Sequence, residues 1–170
     1  MLTGDLVILR NVHPDDLPLL YEIEASLDNW EERSPSPPGP LSREEFDQRM
    51  ARTGRVDFTI TVDDRLVGWC NLMHEDALAR HASVGISLAL DSVGKGYGTD
   101  ALRVLVEFAF VRRNLRRLHL VVVASNERAI ASYRKLGFVE EGRLREHAWV
   151  RGRYEDEVRM GLLRSEWRAR

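Results

Sequence analysis

The chain has 170 residues, 44% of them hydrophobic and 31% charged. That balance is ordinary for a globular protein and excludes wholesale disorder. Lys+Arg number 25 against 27 Asp+Glu, a net charge of −2, so the overall basic excess that sequence-independent nucleic-acid binding needs is absent.

The length predicts one domain spanning residues 1–170. Cys70 is the one cysteine, which leaves no internal disulfide and no multi-cysteine metal site. No apolar run approaches the roughly 18–20 residues that span a bilayer. The start, Met1-Leu2-Thr3-Gly4-Asp5, lacks the basic and apolar pattern of a signal peptide. A cytoplasmic protein without a membrane or nucleic-acid partner is expected.

Leu6-Val7-Ile8-Leu9 reads as a first strand, and His13-Pro14-Asp15-Asp16 as a helix start. The four prolines between Ser34 and Pro40 exclude helix and central strand, which predicts a surface loop. Ser42 and Glu45 match a capping box opening a short second helix. Val56–Val62 and Leu66–Leu72 alternate around Asp63-Asp64, the pattern of a hairpin. Cys70 falls within the second of these strands and reads as an inert buried thiol.

Ser83 to Leu90 is a further strand, followed by a glycine-rich turn from Gly94 to Gly98. Ala101, Leu102, Leu105, Val106, Ala109 and Phe110 share one face of an amphipathic helix. Arg112, Arg113, Arg116 and Arg117 follow, a cationic cluster suited to the helix's negative end. Leu118–Val123 is nearly all apolar, the mark of a strand buried on both faces. A helix from Asn126 to Leu136 is stopped by Gly137, and two more strands are expected, Val139 to Val150 in part and Tyr154 to Leu163. Helices thus alternate with a mixed sheet in an α/β (α+β) arrangement.

Two segments carry chemistry. Val93-Gly94-Lys95-Gly96-Tyr97-Gly98-Thr99 joins a strand to a helix whose first N–H groups lack internal partners. It reads either as a phosphate cradle or as a plain tight turn. It has neither the dinucleotide-binding spacing nor a P-loop. In the second segment Asn126 stands at a helix start, an N-cap position. Tyr133 lies two helical turns further along the same face.

Gly94-Lys95-Gly96-Tyr97-Gly98-Thr99-Asp100-Ala101, with Ser125-Asn126, Ala129 and Tyr133-Arg134-Lys135-Leu136-Gly137-Phe138, resembles the GCN5-related N-acetyltransferase (GNAT) superfamily. Arg151-Gly152-Arg153-Tyr154-Glu155-Asp156 near the end, and Leu6–Arg10 with Pro14-Asp15-Asp16 at the start, are similar to its ribosomal-protein and polyamine acetyltransferase branch. The resemblance implies a splayed mixed sheet with helices on both faces. Acetyl-CoA, without a metal, would lie in the gap between strands near residues 84–90 and 117–123. The amine acceptor would be a protein N-terminus or a small molecule. The resemblance also admits a homodimer.

Carried over by position, the amides of Gly94, Lys95, Gly96, Tyr97, Gly98 and Thr99 would hold the pyrophosphate. The family's turn usually begins with Arg or Gln; here Val93 stands there, so one phosphate contact is lost. Leu88, Ala89 and Leu90 would pair with the pantetheine arm like an added strand, and Asn126 would bond that arm. Tyr133 would stand near the thioester sulfur as general acid. Some relatives carry a glutamate near residues 83–87 as base; here the stretch is Ser83-Val84-Gly85-Ile86-Ser87. His74 and Glu75 are the candidate bases, with His81 or a water chain as alternatives. Trp30, Glu31 and Glu32 would lie by the acceptor's way in. The missing carboxylate and Val93 leave a competing expectation, an acyl-CoA-binding sensor without turnover.

Overall fold

The computed structural model describes residues 1–26 and 41–168. Among these, the strands are β1 (Leu2–Thr3), β2 (Ile8–Asn11), β3 (Val56–Val62), β4 (Arg65–Asp76), β5 (His81–Leu88), β6 (Arg117–Val123), β7 (Val139–Val150) and β8 (Arg153–Leu163). The helices are α1 (Leu17–Ala25), α2 (Arg43–Met50), α3 (Tyr97–Glu107) and α4 (Glu127–Lys135). The expected proline loop, and Trp30, Glu31 and Glu32, lie outside the described residues.

The strands form one sheet in the order β1-β2-β3-β4-β5-β6-β8-β7. Every neighbouring pair is antiparallel except β5 and β6. Those two run parallel because α3 crosses between them, the connection that parallel strands require. Their pairing is short: His81, Ala82 and Ser83 meet Arg117, Leu118 and His119. Beyond Ser83 the strands diverge, and Leu120 to Val123 pair with β8 alone. The splay opens a cleft in the middle of the sheet.

Two apolar clusters cover the sheet. The larger packs α3 residues Leu102 and Leu105, Phe110 just beyond that helix, and α4 residues Ile130 and Tyr133, on Val67, Cys70 and Leu72. The smaller gathers Leu20, Ile23 and Phe46 of α1 and α2 on Leu66 and Trp69. A register slip that skips Val67, between the pairs Ile60–Gly68 and Thr61–Leu66, breaks the alternation of β4, so that Val67 joins Cys70 and Leu72 in one cluster and Leu66 joins Trp69 in the other. Fully burying a large apolar side chain stabilises by about 1.5–3 kcal/mol, so both layers matter to the sheet.

Local chemistry sets the ends. Ser42 caps α2 in a capping box with Glu45, as its sequence indicates. Asp63 and Asp64 both adopt positive φ in the β3–β4 turn, a conformation that Asp tolerates better than most residues. Pro14–Asp16 form a single 3₁₀ turn ahead of α1. Asp16 serves more than the helix dipole: both its oxygens accept from Arg10, at 2.6 and 2.7 Å, and Thr59 Oγ1 donates at 2.9 Å. The Arg10 guanidinium holds the Asp16 carboxyl down to about 2 against the upward push of burial.

Candidate active site

The turn from Val93 to Gly98 follows β5 and opens α3. Gly94 and Gly96 have φ of +81° and +86°, a region costly for residues with a β-carbon. A β-carbon on Gly94 would meet nothing within 4 Å, so conformation is what demands glycine there. Asp100, in the first turn of α3, anchors that helix. Its Oδ2 accepts from the amides of Leu6 (2.7 Å) and Val7 (3.1 Å), and Arg103 bonds its Oδ1 at 2.8 Å. Burial works against the charged Asp100 carboxyl, yet those amides and Arg103 hold it below the ordinary range.

A cavity of 370 Å³ runs from this turn along the splayed edge of β5. Its walls include Leu88, Val93, Gly94, Gly96, Gly98 and Thr99 on one side and Asn126 and Tyr133 on the other. Lys95 and Tyr97 belong to the turn without lining this wall, and Tyr97 packs against the main core instead. Arg128 and Lys135 of α4 also line it. They supply cationic charge that the sequence reading did not assign. Their seven-residue spacing, two turns of helix, was the available signal.

A second cavity of 550 Å³ lies on the far side of Tyr133. Ile86, Ser87, Asn126 and Tyr133 line both cavities, so the two spaces meet at these four residues. Tyr133 is 9% exposed, and burial pushes its phenol up to about 12. Asn126 caps α4, its Oδ1 accepting from the Ala129 amide at 3.1 Å. Ser87 Oγ and Asn71 Oδ1 are buried without a hydrogen-bond partner among the described residues.

The structure sorts the candidate residues. Ala89 does not present a strand edge to the cleft: its amide donates to Val67 O at 2.9 Å and its carbonyl accepts from Ser92 N at 2.9 Å. Leu90 begins a 3₁₀ turn (Leu90–Ser92) and is half exposed. Hydrogen-bonding direction alternates along an antiparallel strand. With Ala89 turned toward β4, Leu88 and Ile86 turn their backbone groups toward the cleft. An arm laid along this edge would therefore meet the backbone groups of Ile86 and Leu88 rather than those of Ala89 and Leu90.

His74, at φ +51° in an irregular stretch of β4, lines the second cavity. Glu75 lines neither and pairs with Arg113 at 2.9 Å. His81 lines neither cavity and packs edge-on against His119, ring centroids 5.3 Å apart. Cys70 is fully buried, and burial pushes its thiol up, which suits packing rather than attack.

A coenzyme A thioester fits these residues. The first cavity pairs the splayed edge of β5 with a glycine turn at a helix N-terminus, and such a turn binds phosphate through backbone amides. Lys135 adds charge to that wall.

Comparison with known proteins agrees with this geometry. The profile of the acetyltransferase (GNAT) domain matches residues 7–139. The chain is 32% identical over 120 residues to the putative ribosomal N-acetyltransferase YdaF of Bacillus subtilis, covering 71% of this chain and 66% of that protein. It is 30% identical over 124 residues to the spermidine N(1)-acetyltransferase of Escherichia coli K12, covering 73% and 67%. The matches thus span about two thirds of the length of those two relatives. The crystal structure of spermidine N-acetyltransferase from Vibrio cholerae, in complex with CoA and spermine, superposes with a TM-score of 0.86 at 25% identity, covering 96% of this chain and 98% of that one.

Proposed function

The chain belongs to the acetyltransferase (GNAT) family and is an acetyl-CoA-dependent N-acetyltransferase, and on that premise we propose that it acetylates a primary amine, on a small molecule or a peptide N-terminus, with Tyr133 as general acid. The observation that carries this reading is the meeting of two cavities at Ile86, Ser87, Asn126 and Tyr133. The first takes the donor and the second the acceptor, so both are held for direct transfer, and such proximity lowers the barrier.

Acetyl-CoA supplies the thioester carbonyl that the amine attacks. A C–N bond forms, the C–S bond breaks, the amine gives up one proton and the sulfur takes one. Ile86 and Leu88 align the donor arm through their backbone groups. The Gly94–Thr99 amides and Lys135 hold its phosphates. Tyr133 keeps its proton at any physiological pH, because burial holds the phenol at about 12. It gives that proton up at the sulfur as negative charge gathers there. His74, on the wall of the acceptor cavity, receives the amine's proton directly or through water.

The test is thiol release from acetyl-CoA with a panel of amines, for wild type, Tyr133→Phe, His74→Ala and Glu75→Gln. Turnover lost in the first two variants and kept in Glu75→Gln upholds the roles. Full activity in Tyr133→Phe overturns the acid assignment.

A further inference from the structure

The second cavity says more about the acceptor than that it is an amine. Its wall includes Arg49 near the end of α2, Arg52 two residues beyond that helix, Arg55 just before β3 and, among the described residues, one carboxylate, Glu24. Arg55 is matched by Asp57, with two contacts of 2.6 Å, and its guanidinium lies 5.0 Å from the Trp69 ring centroid. Glu24 accepts from Trp69 Nε1 at 2.8 Å. Arg52 is exposed and makes no ion pair among the described residues. Among the described residues the wall thus carries more arginine than carboxylate, a balance that favours an anionic group over a polycation.

A helix C-terminus favours cations with or without a substrate. What a helix end does not explain is the pair of orphaned polar atoms in the same cavity. Asn71 and Ser87 are 3% and 4% exposed, yet Asn71 Oδ1 and Ser87 Oγ have no partner among the described residues. Leaving such an atom buried and unpaired costs about 1–3 kcal/mol. Asn71 Nδ2 already donates to Asp57 at 3.1 Å, so what the amide lacks is a donor for its oxygen. An amine brings N–H donors, and guanidinium groups bind carboxylate or phosphate through paired hydrogen bonds.

We propose that the acceptor is a small primary amine that carries its own anionic group, a carboxylate or phosphate. Asn71 Oδ1 and Ser87 Oγ receive the amine, and Arg52 receives the anion. This rests on the transfer reading above for the site it occupies and narrows the acceptor class.

The experiment compares matched acceptors: methionine with methioninamide, phosphoethanolamine with ethanolamine, and spermidine as the polycation. The expected result is a kcat/KM at least tenfold higher for the anionic member of each pair. That preference falls at least fivefold in Arg52→Gln and is largely retained in Arg52→Lys. Methioninamide's amine is the less basic, so its intrinsic reactivity works against the expected order. A preference for spermidine or for the uncharged members overturns the proposal.

Calorimetry of N-acetylmethionine and its amide, with CoA present, reads the site without turnover. Tighter binding of the carboxylate by wild type but not by Arg52→Gln upholds anion recognition even where no amine is acetylated, an outcome that overturns the transfer reading alone. Equal binding of the two, or binding of neither, overturns anion recognition.

Discussion

Asn71 and Gly85 face each other across β4 and β5, and Asn71 Oδ1 lies 2.5 Å from the place a β-carbon on residue 85 would occupy. The Asn71 amide can cross the strand pair because residue 85 has no side chain. Real β-carbons essentially never approach this closely, so Gly85→Ala must move Asn71. Overpacking of this kind costs about 1–3 kcal/mol. The expected outcome is a lower Tm and a several-fold higher KM for the acceptor, with the Kd for CoA unchanged. A variant with wild-type acceptor KM would show that the Asn71 amide does not touch the amine.

Tyr133→Phe removes one hydroxyl from a buried ring and keeps the contact with Phe138, whose centroid is 6.0 Å away. Loss of a general acid typically costs 10²–10⁴-fold in rate. We expect kcat to fall by about 10²-fold or more, with CoA affinity within about twofold of wild type. The pH profile gives a second reading. Burial raises the phenol to about 12, so the acid stays protonated and catalysis has no Tyr133-linked loss until pH approaches that value. An alkaline limb at pH 9–10 that disappears in Tyr133→Phe would contradict this.

The acid side of the stability profile belongs to Asp16. Its carboxyl sits at about 2 instead of 3.8, chiefly through the hydrogen bond from Arg10. A lowered folded-state value favours the folded protein above the unfolded-state value, and the benefit is lost as pH falls through the folded one. A drop of this size is worth about 2 kcal/mol. Asp16→Asn is therefore expected to lower stability by about that much at pH 7. In urea titrations the gap between wild type and variant should close as pH falls from 4 toward 2. A gap that stays constant would assign Asp16 to packing rather than charge.

The parts legible in the sequence are those with local causes. Ser42 with Glu45, Asn126 as a cap, Gly137 as a stop and the positive-φ glycines announce themselves within a few residues. The phase of β5 does not. Whether Ala89 or Leu88 turns toward the cleft depends on the ladder with β4, in which Ala89 bonds Val67, and register between strands is a long-range property. The acceptor cavity was hidden for the same reason. Arg52, Asn71 and Ser87 come from three separate stretches of chain, and none carries a pattern of its own. Glu75 illustrates the converse. Beside His74 in sequence it is an equal candidate, but it lines neither cavity and pairs with Arg113.

Gly94 and Gly54 allow the glycine turn to be tested with its own control. Both have φ of +81°, and a β-carbon on either would meet nothing within 4 Å. Alanine therefore costs both sites the same thing, a left-handed backbone worth about 1–2 kcal/mol, or a few degrees in Tm for a chain of this length. Only Gly94 lies on the wall of the donor cavity. If the amides of that turn cradle the pyrophosphate, Gly94→Ala weakens CoA binding several-fold by calorimetry, because strain there shifts the amides, and Gly54→Ala leaves the affinity where it was. Equal losses of affinity in the two variants would trace the effect to global destabilisation. Wild-type affinity in Gly94→Ala, with its Tm lowered, would make the turn a structural corner and move phosphate recognition to Arg128 and Lys135 of α4.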